Sequence, residues 1–565
     1  MLFKLSSALL LASSLAVATP TPSTPFAEDV YLEDPHVLFS RQAGAVRPNA
    51  TIDISPAFPT DIGYSGTIKY GAAPFLAQNN RLNSTKPNLG AATKADEYTP
   101  ANSKGSDFNM ARYWGNTSPW FPSPLFSEAQ KNRQLDPTCK ITNVHILHRH
   151  GARYPTSYST EGAPYFGVLA TNASTAAATG GAAFTNTGPL AFLSNYTYQL
   201  GAEILTPVGA QQVFDSGIKA YYSYGSLYNS TAGGNGTAPR KPVIRTTSQE
   251  RMLDSARYWT AGFFGLDAPS LIDLLVILEG DGFNNTLASY DTCNNSNVGA
   301  LAVGDTYLTP QWEATYLKGT VERLQQYTSL NLTTEMVYGM QSLCAYETNA
   351  LGYSPFCELF TEDEWRGFEY FLDLQFQGDY GSMSPSGRAQ GIGYVQEFLA
   401  RLTNGTIPAD QITTQNSTLL TPEYFPTDQP MYVDFTHDDI ILSVLVALNY
   451  THVVGEYLSA TTMDDNRTFV LSHITPFAAR LIFEVAECGS TEGGNSTQII
   501  RTILNDALIP MNEAQGCTPR SDGSCLLSEF VQFQQATAYK AANFDFACFG
   551  NYTLTGPTVT NGTIA

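Results

Sequence analysis

Three widely separated segments of this 565-residue chain repeat one pattern: a short apolar run ends in polar residues and passes directly into a helix. The first is Ile141-Thr142-Asn143-Val144-His145-Ile146-Leu147, which leads to Arg149-His150-Gly151. Its alternation of Val144, Ile146 and His148 against His145, Leu147 and Arg149 predicts a buried strand. The second is Pro242-Val243-Ile244-Arg245, followed by Thr246-Thr247-Ser248 as candidate caps. Met252, Ala256, Trp259 and Phe263 recur after it at three- and four-residue spacing, which predicts the next helix. The third is Met431–Thr436, which reaches His437-Asp438 and then the apolar run Ile440–Leu448. A further helix start stands at Leu205-Thr206-Pro207, with Thr206 as cap and Pro207 in the first helical position. Strands that alternate with helices predict an α/β fold with an open, mostly parallel sheet flanked by helices. In such sheets ligands sit beyond the carboxyl ends of the strands, where all three junctions carry their polar residues.

From Cys293 to Ala389 the texture changes, with helical runs at Trp312–Tyr327 and Glu362–Phe376 and little strand character. The expected organisation is therefore an α/β domain from residues 101–292 and 390–550, with 293–389 as the core of a smaller inserted all-α domain. Residues 551–565 are read as a C-terminal tail and 19–100 as a propeptide or extended N-terminal arm.

Residues 1–18 read as a signal peptide: Lys4, an apolar run Ala8–Ala16, and the small-x-small sequence Ala16-Val17-Ala18. The run is too short to span a bilayer, which disfavours a membrane anchor. Seventeen Asn-x-Ser/Thr sequons, among them Asn83, Asn116, Asn172, Asn195, Asn229, Asn331, Asn416, Asn466 and Asn551, point to N-linked glycans on an exported chain. The eight cysteines read as four disulfides, for which sequence alone leaves 105 pairings. With a net charge of −21 the protein lacks the cations that nucleic acid or anionic membrane would require as a partner. The expected location is extracellular, in the medium or in the cell wall.

At Arg149-His150-Gly151-Ala152-Arg153 two guanidinium groups flank a histidine at the end of a buried strand. Arginine holds phosphate oxygens through paired hydrogen bonds, and Gly151 lets backbone and phosphate approach closely. A neutral imidazole can attack phosphorus in line, with the arginines stabilising charge on the equatorial oxygens. Lone histidines are often structural, and His145, His148 and His150 form a possible metal set. Strand alternation turns His145 away from His148, and the arginines would repel a cation, so no metal or other cofactor is expected. His437 could bond the phosphate, and a carboxyl in His437-Asp438-Asp439 could protonate the leaving oxygen. Chemistry alone leaves the choice between Asp438 and Asp439 open, and His-Asp-Asp could equally cap the next helix. Arg245 could complete the clamp or be an ordinary surface arginine.

The run Arg149-His150-Gly151-Ala152-Arg153-Tyr154-Pro155, with the distant His437-Asp438, resembles the histidine acid phosphatases, and most closely their fungal phytase and acid phosphatase branch. Ser354–Phe360, Gln390-Gly391-Ile392-Gly393-Tyr394 and Pro476–Arg480 match further segments in the family's order. The resemblance implies a phosphoglycerate mutase-like histidine phosphatase fold and a metal-free reaction on phosphate monoesters. It implies His150 as nucleophile, Asp438 as proton donor, and Arg149, Arg153, Arg245 and His437 as phosphate-binding residues, with Thr156 as a lesser contact. It also implies the pairs Cys139–Cys488, Cys293–Cys548, Cys344–Cys357 and Cys517–Cys525.

The chain departs from phytate-preferring relatives in lacking their lysines. Ser157-Tyr158-Ser159-Thr160-Glu161-Gly162 has none, and the second stretch offers Asp373, Gln375, Gln377 and Asp379 instead. Arg388 is the one candidate compensation. The expectation is a broad acid phosphomonoesterase that includes phytate without strong preference, ahead of a phytate-selective 3-phytase. A non-catalytic secreted anion-binding glycoprotein and a mutase of the same fold are the rival readings.

Overall fold

The computed structural model describes residues 108–554 apart from 128, 130–133, 158–161, 182–183, 229–240 and 490–495. The signal peptide, the 19–100 arm, the loop residues 158–161 and the tail from 555 onward therefore lie outside the described residues. All described residues fall within the compact unit Phe58–Ala565.

The centre is one eight-stranded mixed sheet. Its strands are β1 (Cys139–Arg149), β2 (Val243–Thr247), β3 (Asp273–Ile277), β4 (Met431–Thr436), β5 (Arg480–Cys488), β6 (Thr497–Leu504), β7 (Ala507–Ile509) and β8 (Cys525–Leu526). They run in the order β3-β2-β4-β1-β5-β6-β7, with β8 on β6. The four on the β3 side, through β1, are parallel, and β5 to β8 extend the sheet antiparallel. The α/β expectation holds. The strand read as ending at Arg245 continues to Thr247, so Thr246 and Thr247 are ladder residues rather than caps.

The helices used below are α1 (Gly162–Ala178), α2 (Pro207–Tyr224), α3 (Glu250–Phe264), α4 (Thr309–Tyr316), α5 (Lys318–Gln325), α6 (Thr334–Leu351), α7 (Glu362–Asp379), α8 (Gly387–Thr403), α9 (Asp438–Ala447) and α10 (Leu527–Ala542). The alternation read from β1 sorts its side chains between two covering layers. Val144 and Ile146 join Val213 of α2, Met252 and Trp259 of α3, and Val433 and Phe435 of β4 in one core. Leu147 faces the other, larger core, which takes in α8, α9 and the helical layer. That layer is wider than residues 293–389, because α1 packs against α6, with Gly339 fitting close to Gly162 and Phe166. The expected helix Trp312–Tyr327 forms as two, α4 and α5, broken at Leu317. Helix α7 begins with a capping box in which Thr361 and Glu364 satisfy each other's backbone.

Four disulfides close the chain: Cys139–Cys488, Cys293–Cys548, Cys344–Cys357 and Cys517–Cys525, the pairs that the resemblance implies. Cys139 faces Cys488 at the end of the antiparallel β1–β5 ladder, so this bond fixes the start of β1. Among the described residues no helix is long and apolar enough to cross a membrane.

Several carboxyl groups are buried in a way that sets pH dependence. Glu347 of α6 accepts hydrogen bonds from the Tyr196 and Ser354 hydroxyls, both at 2.6 Å, yet burial pushes it from an ordinary 4.5 up to about 7. Burial raises Glu369 and Asp373 of α7 as well. Groups whose folded value is raised support the fold while protonated, and that support is lost as pH climbs from the unfolded value through the folded one. Asp434 behaves oppositely. Despite its burial, Arg245 and Arg401 hold it far below 3.8, so its contribution disappears in strong acid. The melting temperature should peak between about pH 4 and 5 and fall toward pH 8, with Glu347 alone responsible for about 3 kcal/mol of the decline. Glu347→Gln should flatten that decline in a thermal melt series; a slope equal to wild type would refute the assignment.

Candidate active site

Parallel pairing sets Arg149, the last residue of β1, beside Thr436, the last of β4. The next residues of each strand, His150 and His437-Asp438, therefore leave the sheet at one level and at neighbouring points. The His150 and His437 rings meet edge to face with centroids 5.8 Å apart. His150 is 1% exposed. Its Nδ1 lies 2.8 Å from the Gly151 carbonyl. A carbonyl only accepts, so Nδ1 carries the proton and Nε2 keeps its lone pair. Burial, followed by the positive charges of Arg149, Arg251 and Arg153, holds the imidazole well below the usual histidine range. The ring stays neutral in acid.

The loop after β1 is pinned by the start of α2. Thr206 caps α2 by accepting from Gly209 N at 3.0 Å, and Thr206 N donates to the Ala152 carbonyl at 2.9 Å. The expected Thr206 cap and Pro207 start are both present. This crossing requires a glycine at 151, since a Cβ there would stand 2.2 Å from the Gly209 carbonyl oxygen.

Three arginines surround His150. The Arg149 guanidinium is buried; it binds the Thr475 carbonyl at 2.8 Å and Asp438 at 2.7 Å, and also reaches the Asn116 carbonyl. Arg153 donates to the Tyr154 carbonyl at 2.9 Å. Arg251, in the first turn of α3, pairs with Glu203 at 3.0 Å. The Nε–H of each is buried and has no protein partner among the described residues.

Arg245 is a correction. It stands mid-strand in register with Asp434, and its guanidinium is bound by Asp434 at 2.6 Å and Glu397 of α8 at 2.8 Å. Arg401 of α8 completes the cluster on Asp434 at 2.5 Å. These charges lie on the α8 face of the sheet, and Arg245 is not part of the His150 cluster. The strand continues beyond Arg245, so the arginine at the carboxyl edge is Arg251. The signal that locates it is its position in the first turn of the following helix.

Asp438 opens α9 and accepts from Arg149 and from Asn116 Nδ2, the latter at 2.8 Å. Despite burial, Arg149 and the Asn116 bond lower its carboxyl. Asp439 is turned to its own helix, with Oδ1 accepting from Ile440 N at 2.9 Å, and burial raises it to about 7. Only Asp438 touches the arginine cluster. His437 Nε2 bonds Glu279 at 3.1 Å, and the Tyr290 hydroxyl donates to the same carboxylate at 2.5 Å. Glu279 went unread in the sequence because β3 was not recognised. It lies two residues past the end of β3, at the same carboxyl edge.

Asn116 is the second correction. Counted above among surface sequons, it is buried, and its amide is engaged by Asp438, which leaves it unfit to carry a glycan. His145 and His148 serve the core on opposite faces: His145 stacks on Tyr432 at 4.6 Å, and His148 bonds Ser216 at 2.8 Å.

A cleft of about 690 Å³ opens beside the cluster, from Asn116 and the half-buried Thr156 to the helical layer. Of the four residues read as substrate-facing, only Gln375 lines it. Asp373 instead binds Arg467 at 2.7 Å, Gln377 holds the Val454 and Glu456 carbonyls, and Asp379 accepts from Gly304 N at 2.7 Å. Arg388 is buried against the end of α9 and Asn449, and does not line the cleft.

An α/β sheet with a neutral histidine and three arginines at its carboxyl edge holds the groups that phosphoryl transfer requires. Residues 140–505 match the family model of the histidine phosphatase superfamily, branch 2. The chain belongs to that superfamily. It is 33% identical to Phytase A of Aspergillus fumigatus over 439 residues, covering 74% of this chain and 87% of that protein. It is 32% identical to Phytase A of Aspergillus oryzae, covering 75% and 88%. Among solved structures it is similar to the phytase of D. castellii, with a TM-score of 0.62 at 23% identity, covering 84% of this chain and 95% of that one. It is also similar in fold to the multiple inositol polyphosphate phosphatase of Bifidobacterium longum in complex with inositol hexasulfate, with a TM-score of 0.51 at 18% identity, covering 74% and 96%.

The two arginines should separate cleanly on substitution. Arg251→Ala should lower kcat/KM on p-nitrophenyl phosphate by about 100-fold while the melting temperature holds. Arg245→Ala strands buried carboxylates and should cost about 3–5 kcal/mol of stability in denaturant unfolding. The reverse pattern would restore Arg245 to the phosphate site.

Proposed function

We propose that this protein is an exported acid phosphomonoesterase, with phytate among its substrates, that works through a phosphohistidine on His150 with Asp438 as proton donor. The observation that carries the proposal is the state of His150: buried and neutral, with its free Nε2 beside the positive charges of Arg149, Arg251 and Arg153. The names of the relatives support a phosphate-ester substrate, and among them phytate.

The phosphate group binds to Arg149, Arg153 and Arg251, with His437 held in place by Glu279. His150 Nε2 attacks phosphorus as the bond to the leaving oxygen breaks, and Asp438 gives that oxygen a proton. Water then attacks the phosphohistidine, and Asp438 takes up the proton released. Arg149 holds the Asp438 carboxyl below its ordinary range. A bound phosphate shares the Arg149 charge and adds negative charge of its own, both of which favour the protonated carboxyl. Acid meets the two requirements together: Asp438 can be protonated while His150 stays neutral.

The exposed sequons Asn172, Asn331, Asn466 and Asn551 are the proposed glycan carriers. Four disulfides suit an oxidising, extracellular setting, free or in the cell wall.

His150→Ala should abolish turnover of p-nitrophenyl phosphate, and acid-quench experiments on wild type should trap a phosphohistidine. Asp438→Asn should slow alkyl phosphates, whose leaving groups are poor, about 100-fold more than p-nitrophenyl phosphate. Full activity without His150, or equal slowing across leaving groups, would refute these roles.

A further inference from the structure

The cleft beside His150 has walls of a definite chemistry. Its volume of about 690 Å³ suits the alcohol portion of a small monoester. It starts at Asn116 and Thr156, next to the arginine cluster, so a substrate whose phosphate sits on His150 extends its leaving group into this space. The far walls present the carboxyl groups of Asp305, Glu313 and Glu335 together with Tyr338 and Phe371. Among the described residues no lysine or arginine lines it. The cations Arg149, Arg153 and Arg251 all stand at the phosphate end.

The positive end of α6 does not change this balance. Its first turn carries Glu335 itself, behind the Thr333 cap, so the helix terminus is already met by an acid of the same wall. Glu313 and Glu335 line the cleft from different helices, α4 and α6. Asp305 is half of a pair with Gln375, whose amide donates to it at 2.9 Å. The Tyr338 and Phe371 rings lie tilted against each other with centroids 4.4 Å apart, giving an aromatic wall beside the acidic residues.

Resting on the phosphatase reading above, we infer that this cleft selects monoesters that carry a single phosphate and a cationic amine on an aromatic body. The amine gains attraction from Asp305, Glu313 and Glu335 and from ring faces, while the aromatic body packs on Tyr338 and Phe371. A second phosphate on the leaving group meets three acidic residues and, among the described lining residues, no cation. The central clamp still accepts any single phosphate, so polyphosphorylated substrates are turned over but not favoured.

The experiment compares 4-(aminomethyl)phenyl phosphate with 4-(carboxymethyl)phenyl phosphate at about pH 6, with phenyl phosphate as reference. The methylene group keeps the two leaving oxygens similar in acidity, so the ratio of kcat/KM values reports the cleft. The cationic ester should be favoured by about tenfold or more, and Glu313→Gln combined with Glu335→Gln should bring the ratio close to one. Should the double variant not fold, the wild-type ratio at rising salt decides, because the preference must fall as charges are screened. A wild-type ratio at or below one, a ratio kept by the double variant, or one indifferent to salt overturns the inference. Loss of phenyl phosphate hydrolysis by wild type would instead overturn the phosphatase reading itself.

Discussion

Two parallel strands far apart in sequence, β1 and β4, lie side by side with Arg149 opposite Thr436. Everything at the site hangs on that register. A shift of one residue would turn His148 or Arg149 toward the wrong face and pull Asp438 away from Arg149, because side chains alternate along a strand. The ladder to β4 opens where Val144 N donates to the Pro430 carbonyl at 3.0 Å and Asn143 Nδ2 to the Gln429 carbonyl at 2.7 Å, and β1 itself is fixed at both ends. At the start of β1 the Cys139–Cys488 bond ties it to β5. At its end the Gly151–Gly209 crossing leaves no room for a longer or shifted loop. Bringing such distant segments together costs chain entropy, which the apolar cores on both faces of the sheet offset.

The same register explains how one sheet keeps two sets of charges apart. Residues at the carboxyl edge, Arg149, His150, His437 and Asp438, open toward the cleft. Residues further back on the α8 face, Arg245 and Asp434, close on Glu397 and Arg401. In the first set, Arg149 meets Asp438 and one histidine is kept neutral. In the second, two cations answer two carboxylates. Arginines of similar burial thus stand in different settings: Arg149 shares its carboxylate with the loop that carries His150, whereas Arg245 is bound by two buried carboxylates away from it.

The α/β class, the Thr206 cap and the convergence of His150 with His437 and Asp438 were legible because each follows from local pattern plus the carboxyl-edge rule. Arg245 misled because the end of β2 was placed too early: Thr246 and Thr247 look like caps, but their β-branched side chains suit a ladder equally. Arg251 and Glu279 were hidden by the same difficulty, since finding edge residues requires knowing where strands stop. Asn116 gave no local signal at all. Its sequon describes a surface residue, and only tertiary contact with Asp438 removes it from the surface. The acidity of the cleft was half legible. Missing lysines were visible, whereas Glu313 and Glu335 come together from separate helices.

Asn116 also bears on where the working chain begins. It sits on a short helical turn held by several anchors: Gly115 N donates to Glu369 at 2.8 Å, Asn349 Nδ2 to the Thr117 carbonyl at 3.0 Å, and Phe477 N to the Ser118 carbonyl at 3.0 Å. This turn precedes the first strand, and it is stitched to the helical layer and to the segment before β5. Removal of residues before this turn is therefore tolerable only up to a limit written into the fold. Asn109 caps the preceding turn, Met110–Tyr113, so a chain that starts before Asn109 keeps both turns, whereas one that starts after Asn116 loses the amide on Asp438 and still keeps every strand of the sheet.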